Sequence, residues 1–117
     1  MIDFIFWLHS LLLFAIAFLF RRFRPTKINA LYGYRTPASM KNEKAWKIAN
    51  EYSSKLIVYG SVVFGVLQCA IWLIFGVNER TVIASAVLLS LVFLIVLVLT
   101  ENYLKKKDPS VVRFISF

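Results

Sequence analysis

Residues 82–100 read VIASAVLLSLVFLIVLVLT, an apolar run with no charged side chain. At about 1.5 Å rise per residue such a run covers roughly 30 Å as a helix, the hydrocarbon thickness of a bilayer. Upstream, beyond the short polar break GVNERT at 76–81, lies a second run, LIVYGSVVFGVLQCAIWLIF at 56–75. A third, IDFIFWLHSLLLFAIAFLF, occupies 2–20 and is interrupted only by Asp3, His9 and Ser10. A soluble core helix carries a polar face, and these runs carry almost none. Three transmembrane helices are expected, at about 2–20, 56–75 and 82–100, in an all-α membrane protein. The whole chain, 1–117, reads as a single membrane domain.

The composition agrees. Of 117 residues, 60% are hydrophobic and only 17% charged, against roughly 45–50% and 25% in ordinary soluble domains. The aromatic content and low charge also exclude a disordered chain. A secretory signal peptide places its basic residues before the apolar run. Here Asp3 precedes the first run, and Arg21, Arg22 and Arg24 follow it, which predicts a retained helix.

Lys and Arg number 14 against 6 Asp and Glu, a net charge of +8. Most of the basic residues fall in the segment 21–55 and in a tail, 101–117, that carries Lys105, Lys106, Lys107 and Arg113. Three spans put that loop and that tail on one side of the membrane. The positive-inside rule makes it the cytoplasm, with the N-terminus and the 76–81 turn outside. The expected location is the plasma membrane, multi-pass. Topology accounts for the basic residues without nucleic acid, and anionic lipid headgroups are the expected partner. The tail ends with Val111, Val112, Phe114, Ile115 and Phe117, apolar side chains expected to touch the membrane surface.

The loop between the first two spans has a different composition. Residues 27–50 read KINALYGYRTPASMKNEKAWKIAN. Pro25 ends the first helix region, and Gly33 suits a tight bend. Thr36 followed by Pro37 matches an N-cap and first helical position. Ala38, Ala45, Ala49 and Tyr52 keep helical spacing. A cytoplasmic amphipathic helix from about Pro37 to Ser54 is therefore expected, lying in the interface or bending directly into the second span. Tyr32, Tyr34, Trp46 and Tyr52 also suit a simple interfacial anchor. The tight Tyr-Gly-Tyr-Arg-Thr cluster asks for a more fixed backbone.

The run at 28–50 resembles the signature of the SdpI family, bacterial membrane proteins named for an immunity protein against a secreted, membrane-acting toxin. The matching positions are Asn29, Gly33, Tyr34, Arg35, Thr36, Ser39, Met40, Lys41, Trp46, Ala49 and Asn50. The chain resembles the C-terminal, motif-bearing part of the longer members. The resemblance implies protection of the cell by binding or sequestering a membrane-active toxic peptide. Two other functions stay open: docking of a cytosolic regulator by the 21–55 loop, and a small oligomeric transporter or channel subunit, for which a homo-oligomer is needed.

Within the motif, Arg35 is expected to be held by the fold, since its guanidinium presents five donors in a rigid plane. Asn29, Asn50, Glu51 and carbonyls freed at the Gly33 bend are the expected partners. Trp46 would cover the site and Tyr34 would close its membrane side. Inside the membrane, His9 and Gln68 are the polar candidates. Ser61, Gly65 and Cys69 form a ridge of small residues on the second span, with Ala86 and Ser90 as a matching ridge on the third. No catalytic constellation or phosphate-binding glycine loop is present, and one His with one Cys makes a His/Cys metal cage impossible. No enzyme activity, metal or cofactor is expected.

Overall fold

The computed structural model describes residues 1–108; the apolar tail expected at the membrane surface, Val111–Phe117, lies outside the described residues. Three helices follow one another: α1, Ile2–Arg22; α2, Glu43–Phe75; and α3, Glu79–Lys107. All three are long and apolar enough to cross a membrane, and the chain is a multi-pass membrane protein. They pack into one elongated bundle measuring 48 × 27 × 20 Å.

Each helix turns a narrow seam inward and a broad apolar surface outward. Leu13 and Ala17 of α1 meet Ile57 and Phe64 of α2 and Val92 and Val96 of α3 in the central core. Large side chains point away from it: Leu73 is 74% exposed and Phe4 66%. In water that surface would aggregate, whereas lipid tails are as apolar as Leu and accept it.

The expected ridge on α3 is not the packing seam. Ala86 and Ser90 are exposed, and α3 instead buries Ser85, Val92 and Val96. On α2, Ser61 is buried, Gly65 lies beside the Phe14 ring, and Cys69 is exposed. Bulkier Val92 fits because α2 offers Gly60 opposite; a Cβ there would sit 2.9 Å from Val92 Cγ1.

The turn between α2 and α3 is tighter than the 76–81 break suggests. Gly76 ends α2 with φ of 73°. Asn78 and Thr81 then form a reciprocal capping box: Thr81 N–H donates to Asn78 Oδ1 at 3.1 Å, and Asn78 N–H to Thr81 Oγ1 at 2.9 Å. This satisfies two amides that α3 would otherwise leave without partners.

The helix expected from about Pro37 to Ser54 starts later and continues without a break into the second span. Thr36 caps only one turn, in which the Met40 N–H donates to the Thr36 carbonyl at 3.0 Å. The helix proper begins at Glu43, capped by Asn42, whose Oδ1 accepts from the Ala45 N–H at 2.8 Å. It then runs unbroken through 33 residues to Phe75. At about 1.5 Å per residue this is roughly 50 Å, well beyond the hydrocarbon thickness. The charged portion before Leu56 therefore continues the second span beyond its apolar part. Ala38, Ala45, Ala49 and Leu104 form a second small core there, tying the loop to α2 and to the end of α3.

Candidate functional site

The loop from Phe23 to Asn42 is held against the bundle by Asn50 and Trp46, both buried. Trp46 Nε1 donates to the Pro25 carbonyl at 3.0 Å, fixing where the chain leaves α1. Asn50 Oδ1 accepts from the Tyr34 N–H at 2.7 Å, while its Nδ2 donates to the Tyr34 carbonyl at 3.3 Å and to the Trp46 carbonyl at 3.0 Å. One buried side-chain amide thus takes over backbone groups that a loop cannot satisfy by itself. Its own polar atoms are paired in return.

Gly33 sits between these two fixed points with φ of 106°. A Cβ there would lie 2.5 Å from Pro25 Cγ and 2.8 Å from Asn50 Oδ1. Glycine is needed for both the conformation and the space. Asn29 organises the outer part of the loop: its Oδ1 accepts from the Leu31 and Tyr32 amides, each at 2.9 Å. Thr36 pairs with buried Ser39, whose Oγ accepts from the Thr36 N–H at 2.8 Å.

Tyr34 crosses to the third helix. Its hydroxyl donates to Glu101 Oε1 at 2.7 Å, with the Leu97 carbonyl 3.2 Å away. Burial, and then the Glu101 carboxylate, push the phenol well above its ordinary value.

Arg35 is not held as expected. It is exposed, and among the described residues its guanidinium makes no hydrogen bond or ion pair. Glu51, a suggested partner, is taken by other cations: Arg21 at 3.1 Å, Arg24 at 2.7 Å and Lys55 at 3.4 Å. Burial raises the Glu51 carboxyl, but Arg21, then Arg24 and Lys55, outweigh it and hold it below its ordinary value. The fold therefore fixes the backbone on either side of Arg35 and leaves its head without a partner among the described residues.

An apolar groove of about 710 Å³ opens beside this loop, between α1 and α3. Ile16, Leu19 and Phe20 form one wall, Phe93 and Leu97 the other, and Gly33 and Tyr34 lie at its loop end.

His9 and Gln68 come together in the bundle interior. Fully buried Gln68 donates through Nε2 to the Phe6 carbonyl at 2.6 Å and to Ser85 Oγ at 2.9 Å. Its Oε1 accepts from Ser10 Oγ. Ser85 Oγ lies 2.9 Å from His9 Nδ1. Ser85 Oγ thus joins Gln68 to His9. The network links all three helices.

Sequence reasoning missed Ser85 and Glu101. A mid-span glutamine must find partners, which signals that partners exist without naming the helix face. Glu101 is an acid placed directly after an apolar span, but nothing local pairs it with Tyr34.

The family model of the SdpI/YfhL protein family matches residues 26–100. The chain belongs to this family. Within it, the chain is 36% identical over 87 residues to the uncharacterized protein YfhL of Bacillus subtilis, covering 74% of each chain. It is 32% identical over 82 residues to the immunity protein SdpI of the same organism, covering 70% of this chain and 37% of that protein. No solved structure matches. The matched interval contains Tyr34, Trp46 and Asn50 together with Gln68 and Ser85, whereas His9, Ser10 and Pro25 precede it and Glu101 follows it.

Proposed function

We propose that the protein is an immunity-type membrane protein that protects its cell from a membrane-active toxic peptide by binding or sequestering it. The observation that carries this reading is the family match over 26–100, which spans the complete motif loop, in a family whose relatives include the immunity protein SdpI. The geometry supplies a suitable surface. An apolar groove lies beside a rigid loop whose next residue, Arg35, is exposed and unpaired among the described residues. An amphipathic peptide would lay its apolar side in the groove and a carboxylate or carbonyl on the Arg35 fork.

In this reading Gly33, Tyr34, Thr36, Trp46 and Asn50 shape the surface, Asn29 sets the outer turn, and Arg35 makes the contact. The basic loop faces the cytoplasm of a plasma-membrane protein, with the N-terminus outside, in accord with the positive-inside rule.

The test is survival of a sensitive host expressing the chain and challenged with secreted membrane-active peptides. Protection by the wild type, lost in Arg35→Ala at equal membrane abundance, is expected. Killing equal to that of an empty-vector strain across the panel overturns the proposal.

A further inference from the structure

A second cavity, distinct from the apolar groove, lies at the charged end of the bundle. It has a volume of about 590 Å³ and is walled by α2, the end of α3 and the chain leaving α1. Four cations line it, Arg24, Lys47, Lys55 and Lys107, against the single carboxylate of Glu51. That carboxylate is already engaged by Arg21, Arg24 and Lys55. Lys47 makes no hydrogen bond or ion pair among the described residues, and Lys107 lies 5.5 Å from the Tyr103 ring centre without a carboxylate partner there. Among the described residues the cavity lining therefore carries uncompensated positive charge.

Its position narrows the ligand. Lys55 directly precedes the apolar run that begins at Leu56, and Tyr103 and Lys107 follow closely on the run ending at Thr100. The cavity thus sits where the spans leave the hydrocarbon. Its aromatic wall is the stacked pair Tyr52 and Tyr103, with ring centres 3.9 Å apart and planes within 4°. Tyrosine is favoured at that depth because one end of the ring is apolar and the other wet. Lysines clustered just beyond a span attract anionic headgroups.

We propose that this cavity binds the phosphate headgroup of an anionic phospholipid, held by Lys47 and Lys107 against the Tyr52–Tyr103 wall. Arg24 and Lys55 offset the nearby Glu51 and keep it from repelling the ligand. The cavity shares no lining residue with the apolar groove, and Lys47 and Lys107 take no part in the toxin-binding reading.

The purified full chain in nanodiscs of mixed phosphatidylglycerol and phosphatidylcholine, with retained lipid counted by native mass spectrometry, provides the test. The wild type is expected to retain phosphatidylglycerol preferentially. Lys47→Gln with Lys107→Gln should weaken retention about thirtyfold, as expected for two juxtamembrane charges. Lys44→Gln with Lys106→Gln removes the same charge from neighbouring positions that do not line the cavity, and should leave retention unchanged. Equal loss in both double variants, or no lipid preference in the wild type, overturns the proposal. Full displacement of the lipid by millimolar inorganic phosphate also overturns it, because the ligand would then be free phosphate.

Discussion

Asn50 grips Tyr34 by both of its backbone groups, accepting from the N–H at 2.7 Å and donating to the carbonyl at 3.3 Å. The residues are 16 apart in sequence, and the grip converts an otherwise free loop into a fixed edge of the bundle. Asn50→Ala should leave the Tyr34 N–H buried without a partner, at a cost of about 1–3 kcal/mol. Thermal unfolding in detergent measures it. Membrane insertion should be unaffected, because the apolar spans drive it.

Gly33→Ala combines an unfavourable φ with a Cβ 2.5 Å from Pro25. The loop must shift, so the Asn50–Tyr34 bonds weaken as well. The melting temperature should fall, and protection of a toxin-challenged host should fall with it. Ala at the exposed neighbour Leu31 should change neither.

Arg35→Lys should leave stability within about 0.5 kcal/mol of wild type, as expected for an exposed side chain with no partner among the described residues. Protection should nevertheless drop, since an ammonium cannot reproduce the bidentate fork. A parallel loss of stability would show that Arg35 is a structural residue.

The Tyr34–Glu101 bond makes the loop sensitive to alkali. Tyr34 has its folded-state pKa raised above the ordinary 10.0. Its contribution to stability is complete below pH 10.0 and is lost as pH rises from there towards the folded-state value. Unfolding midpoints measured between pH 8 and 11 should decline at the upper end, and Tyr34→Phe should flatten that decline.

Gln68→Leu should loosen the helix packing by about 1 kcal/mol, in line with measured interhelical hydrogen bonds in membranes. The substitution frees Ser10 and the Phe6 carbonyl but adds apolar contact, which keeps the loss modest. Denaturation in mixed micelles reads the change.

The spans were legible because length and hydropathy alone set them. The helix rotations were not. Lipid and neighbouring helices are equally apolar, so composition did not reveal that α3 faces inward with Ser85 and Val92 rather than Ala86 and Ser90. The sequence points to Thr36–Pro37 as the start of the helix, whereas the structure starts α2 after Asn42. The sequence does not say locally that Thr36 is engaged with buried Ser39, or that its turn ends at once. Gly33, Trp46 and Asn50 were picked out through the motif, but their joint task of pinning Pro25 and Tyr34 rests on contacts 16 to 21 residues apart. Arg35 and Arg21 are both cations within reach of Glu51 on paper; only the path of the chain decides which one meets it.

Because α2 has no break between Glu43 and Phe75, a tilt of its apolar half would carry through to its charged end. The arm from Leu56 back to Glu43 is about 20 Å long, so a tilt of roughly 10° in the buried half swings its tip by about 3 to 4 Å. Trp46 and Asn50 ride on that arm and carry Pro25 and Tyr34 with them. A guest wedged against the lower half of α2, or a thinner bilayer that makes the span lean, would thereby re-aim Arg35 without melting a single turn.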